Sequence, residues 1–121
     1  MTLRPELDAV FIHVSEVGQS LRWYSALLGV PSGDVSHEGL IGDVPVPGPT
    51  RIIFDGHNHA FGNPADYSRS RVMFATNDLD AAIAHARTLG LAPTPVEDIG
   101  SALVTYIDDP DGNRICLIQR K

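Results

Sequence analysis

Asp55-Gly56-His57-Asn58-His59 sets one carboxylate and two imidazoles side by side, the densest group of side chains in the chain with chemistry to offer. Asp55 would serve as a general base if buried, because desolvation raises a carboxyl pKa; at a solvated strand end it is an ordinary charge. His57 and His59 have the look of a ligand pair. Their Gly/Asn-rich surroundings are those of an exposed loop, and that is the reading adopted. Nothing else in the chain supports a nuclease built on the histidines around Asn58. His13 closes an apolar run, where it either meets a ligand or is satisfied by backbone. Arg71 has the fork geometry to grip a carboxylate or phenolate, or else pairs with Asp55 or a neighbouring acid. Cys116 is the only cysteine, which excludes an intrachain disulfide. Its thiol would be reactive if a cation such as Arg71 lowered its pKa, and is inert if simply buried. Tyr106 either caps a cavity with its hydroxyl or is a half-buried sheet tyrosine.

The elements that must position these groups belong to a single domain spanning residues 1–121. Hydrophobic residues make up 43% and charged residues 20%, a globular composition with enough apolar surface to offset the entropy of ordering. Nine Lys/Arg against 15 Asp/Glu leave a net charge of −6, which argues against phosphate-backbone binding. No apolar run approaches the ~20 residues of a membrane helix. Met1-Thr2-Leu3-Arg4-Pro5-Glu6 lacks the charged-then-apolar plan of a signal peptide, so the expected setting is the cytoplasm. No nucleic-acid or membrane partner is expected.

The chain repeats a plan. Ala9-Val10-Phe11-Ile12-His13-Val14 reads as a strand, and Ser15-Glu16 opens a helix whose apolar stripe is Val17, Leu21, Tyr24, Leu27 and Leu28, stopped by Gly29. Arg71-Val72-Met73-Phe74-Ala75-Thr76 is again a strand. Asn77-Asp78 caps a helix striped by Leu79, Ala82, Ile83, Ala86 and Leu89 and closed by Gly90. Strands end both halves, at Arg51-Ile52-Ile53-Phe54 and at Arg114-Ile115-Cys116-Leu117, the latter preceded by Leu103–Ile107 and the turn Asp109-Pro110-Asp111-Gly112-Asn113. Trp23 and Tyr24, being neighbours on a helix, cannot share a face. Pro45, Pro47 and Pro49 leave residues 31–50 room only for short strands. Residues 56–70 read as a polar linker between modules 5–57 and 70–121.

These residues give the sequence a resemblance to the vicinal oxygen chelate superfamily of glyoxalases, bleomycin-resistance proteins and extradiol dioxygenases. Carrying it are Val14-Ser15-Glu16-Val17, Ser20-Leu21-Arg22-Trp23-Tyr24, Leu27-Leu28-Gly29, Asn77-Asp78-Leu79-Asp80-Ala81-Ala82, Leu89-Gly90 and Asp109-Pro110-Asp111-Gly112-Asn113-Arg114-Ile115. The resemblance implies an α+β fold of two tandem βαβββ modules, forming a curled mixed sheet around a central cavity, often within a homodimer.

Metal-dependent relatives hold a divalent ion with one side chain from the first and one from the last strand of each module. Aligned on the motifs, those positions fall on Ala9, Ile53, Arg71 and Cys116. Alanine and isoleucine offer no lone pair, a guanidinium repels a cation, and one thiolate is not a site. The expectation is a metal-free protein with no cofactor.

Side chains alternate along a strand, so residues of the same parity as those positions should face the cavity. That selects Phe11, His13, Ile53, Asp55, Arg71, Met73 and Cys116, with Tyr106 at the turn, as the ligand-binding set. Two functions fit: a protein enclosing a small hydrophobic or aromatic compound between its modules, or a glyoxalase-like lyase or isomerase. The second would use His13, Asp55 and His57 as acid–base groups and Arg71 as anion clamp. A docking module with a collapsed interior is the third possibility.

Overall fold

The computed structural model describes Arg4 and residues 6–61 and 69–121, and it falls into two compact units that part between Phe61 and Arg69. In the first unit, β1 (Ala9–His13) leads into α1 (Val17–Leu28), followed by β2 (Val35–Ser36), β3 (Ile41–Asp43), β4 (Arg51–Asp55) and a short helix α2 (His57–Phe61). The second runs β5 (Arg71–Ala75), α3 (Leu79–Thr88), β6 (Glu97–Asp98), β7 (Ala102–Asp108) and β8 (Arg114–Arg120). Each unit holds a four-stranded mixed sheet of the same pattern, β1-β4-β3-β2 and β5-β8-β7-β6. The fold is α+β, as expected. The described strands make two separate sheets and no closed barrel.

Helix ends follow local chemistry. The Glu16 carboxylate accepts the Gly18 N–H at 3.2 Å to start α1, and the Asp78 side chain accepts the Ala81 N–H at 3.0 Å to start α3. Gly29 (φ 68°) ends α1 in the left-handed conformation that side-chain-bearing residues resist. Alternation in β1 and β4 sends Ile12, Ile52 and Phe54 to one face, where they are buried with Val17, Leu21, Tyr24 and Leu27 of α1. The Tyr24 and Phe54 rings lie 4.6 Å apart, while half-buried Trp23 meets Tyr24 edge-on. Gly42 lets α1 settle on β3: a Cβ there would stand 2.8 Å from Val17 Cγ1 and 2.9 Å from Leu21 Cδ1.

In the second unit Leu79, Ile83 and Ala86 of α3 are buried, and the Leu79 N–H donates to Gln119 Oε1 of β8 at 2.7 Å. The Asp109–Asn113 turn is held from within. Asp109 Oδ1 accepts the amides of Asp111 (2.9 Å) and Asn113 (2.8 Å), and Asp109 Oδ2 accepts Asn113 Nδ2–H (2.9 Å). Asn113 Oδ1 in turn accepts the Ser70 N–H at 2.7 Å, so both buried side chains are satisfied.

Candidate functional site

The face of the first sheet turned away from α1 is built in rows by strand register. β1 and β4 run parallel, pairing Ala9 with Arg51, Phe11 with Ile53 and His13 with Asp55. β3 runs antiparallel to β4, pairing Ile41 with Asp55 and Asp43 with Ile53. Partners in register point the same way, so one row reads His13–Asp55–Ile41 and the next Phe11–Ile53–Asp43. Over them lies a partly open cavity of about 520 Å³. Phe11, Ile41 and Ile53 form its apolar floor, Arg51, Asp43, Asp55 and His57 supply charge and hydrogen-bonding groups, and Ser36, His37 and Gly42 complete the wall.

Asp55 and His57 form a dyad. The Asp55 Oδ1 accepts the His57 amide at 2.9 Å and meets His57 Nδ1 at 2.6 Å. Burial opposes the charge on Asp55. The bonds from the His57 amide and ring, with the nearby His57 and His13 imidazoles, outweigh it and hold the carboxyl below the usual carboxylate value. An ionised carboxylate only accepts, so the proton in this bond sits on Nδ1. In the neutral ring Nε2 then carries the lone pair, the arrangement of an oriented base.

At the rim, His37 and Glu38 adopt φ of 53° and 58°, followed by Gly39 at 85°. Left-handed backbone is costly for His and Glu. The Gly39 N–H closes the turn onto the Ser36 carbonyl at 3.1 Å, and Ser36 Oγ lies 2.9 Å from His37 Nδ1.

The expected site residues divide between the units. Phe11, Ile53 and Asp55 line the cavity, with His13 in register beside Asp55. Arg71, Met73, Tyr106 and Cys116 belong to the second sheet. There, Arg71 and Met73 are exposed, and the Arg114 guanidinium lies 5.3 Å above the Tyr106 ring. Cys116 packs with Ala102, Val104 and Ile118, and burial pushes its thiol up, away from thiolate chemistry. One expectation needs correction. Where the Gly/Asn-rich composition points to an exposed loop, His57 opens α2 and its ring is held by Asp55 at the cavity wall. Asp43, Ile41, Ser36 and His37 went unselected, because the prolines after residue 44 obscured the two-residue period. Ile41-Gly42-Asp43, apolar and polar around a small residue, was the available signal.

The positions that the resemblance aligns with the superfamily's metal ligands are held by Ala9, Ile53, Arg71 and Cys116. Ala9 and Ile53 carry no donor, Arg71 is cationic and Cys116 is buried. Among the described residues no group of three or more His, Cys, Asp or Glu side chains is placed to hold a metal.

Comparison with known families and structures agrees with this architecture. A glyoxalase-like domain family model matches residues 9–118. The chain therefore belongs to the glyoxalase-like domain family. Among solved structures, it is similar to TnmS3, an antibiotic binding protein from Streptomyces sp. CB03234. That likeness has TM-score 0.80 and 21% identity over 100% of this chain and 99% of the other. It is also similar to lactoylglutathione lyase from Agrobacterium tumefaciens, with TM-score 0.77 and 12% identity over 96% of this chain and 94% of that one. A superfamily member from Sphaerobacter thermophilus DSM 20745 gives TM-score 0.77 and 19% identity over 97% and 98%. At these identities the likeness establishes the fold. No curated protein matches the sequence.

Proposed function

We propose that the protein binds a small hydrophobic or aromatic compound in the cavity of the first sheet, without a metal. The cavity is the observation that carries this reading. Its volume of about 520 Å³ is that of a small-ligand site, and its apolar floor is bordered by a few polar groups. The similarity to an antibiotic binding protein supports it. A thermal-shift screen of aromatic and alicyclic compounds is the test: a ligand at 100 times its Kd adds about 2.7 kcal/mol of stability. Ile53→Glu should abolish the shift. A library that never moves the melting temperature removes the reading.

The Asp55–His57 bond favours a second reading, a lyase or isomerase in which His57 Nε2 takes a proton from the bound compound. His57→Gln would then abolish turnover while leaving ligand affinity within about tenfold. Recovery of every bound compound chemically unchanged after incubation with the wild type overturns it.

The expected working form is a cytoplasmic homodimer with no nucleic-acid or membrane partner. Exposed Met73 (56%) on the second sheet supports an apolar partner surface there. Among the described residues no helix is long and apolar enough to cross a membrane.

A further inference from the structure

We propose that this cavity selects ligands carrying a protonated amine beside an aromatic body, with Asp43 as the counter-charge. The inference rests on the binding reading above and assigns its ligand class. Asp43 and Phe11 occupy one row, separated by β4, and two inter-strand spacings put them about 10 Å apart at the backbone. That span suits an aryl group joined to an ammonium by a short alkyl chain.

The charges on this face are not equally available. Asp55 is engaged by the His57 amide and ring. Arg51, diagonal to Asp43 across the register, has its guanidinium 3.7 Å from Asp8. The Asp43 carboxylate has no hydrogen bond or ion pair among the described residues, although it is only half exposed and lines the cavity. Its backbone is held in place: the Gly33 N–H donates to the Asp43 carbonyl at 3.0 Å. A Cβ at Gly33 would lie 2.5 Å from Asp43 Oδ1, so glycine is what admits this approach.

A neutral apolar ligand covering Asp43 would strip water from an ion and return nothing. An anionic ligand would meet both Asp43 and Asp55. An ammonium replaces the lost water with a charge-assisted hydrogen bond, roughly twice as strong as a neutral one.

The test is calorimetric titration at pH 7.5 with three probes sharing one body: 2-(2-naphthyl)ethylammonium, 2-(2-naphthyl)ethanol and 3-(2-naphthyl)propionate. The ammonium should bind at least about tenfold more tightly than the alcohol, a difference of about 1.4 kcal/mol. Asp43→Asn should erase that preference, so that the ammonium and the alcohol bind with equal affinity. In the wild type, raising salt from about 50 to 500 mM should weaken the ammonium and spare the alcohol, which decides the matter even if the variant fails to fold. Equal affinity for ammonium and alcohol overturns the role of Asp43 and leaves the binding reading standing. Tightest binding of the propionate overturns it in favour of Arg51. No binding of any probe at millimolar concentration overturns both readings together.

Discussion

The 2.6 Å contact between His57 Nδ1 and Asp55 Oδ1 helps hold one carboxylate in its charged form. Because the folded carboxyl titrates below its ordinary value of 3.8, Asp55 stabilises the fold fully above that value, and the contribution is lost as pH falls through the folded pKa. Asp55→Asn should therefore lower stability at pH 7 by about 1.5 kcal/mol and flatten the acid limb below about pH 4. Urea midpoints measured from pH 2 to 6 on both proteins check this, and parallel limbs contradict it. At this scale the sequence was half legible. Alternation selected Phe11, Ile53 and Asp55 for one face, but the reach of His57 back to Asp55 depends on a five-residue helix too short to display a helical stripe.

Between α1 and β3, one position, Gly42, sets how closely the elements meet. Glycine in a strand is ordinarily a weak choice, and replacing it with alanine should help. At Gly42 the sign is reversed: Gly42→Ala should destabilise by about 1–3 kcal/mol, because a Cβ presses on Val17 and Leu21. The opposite holds in the β2–β3 turn. Glu38 pays for a left-handed φ of 58°, so Glu38→Gly should stabilise by roughly 1 kcal/mol, read from chemical denaturation. The long elements were plain in the sequence, since α1 and α3 carry clear stripes, caps and glycine stops. The two-residue strands β2 and β6 were not, because two residues cannot display a period, and their pairing is decided by the neighbouring strand.

For the whole molecule, native mass spectrometry of fresh protein should give twice the chain mass, with no stoichiometric adduct on adding nickel, zinc, cobalt or iron. A monomer mass, or one metal per chain, contradicts the homodimeric, metal-free reading. The doubled plan was legible throughout, because both halves repeat strand, capped helix, glycine and strands in one order, and the sheets share a strand pattern. That pattern also governs how the chain emerges during synthesis. Ala9 pairs with Arg51, 42 residues later, and Arg71 with Arg114, 43 residues later. At about 5–20 residues per second, each leading strand waits roughly 2–8 s for its parallel neighbour. Throughout that interval β1, and later β5, stands as an unpaired ribbon open to any passing strand, so the nascent chain is the form most in need of a chaperone.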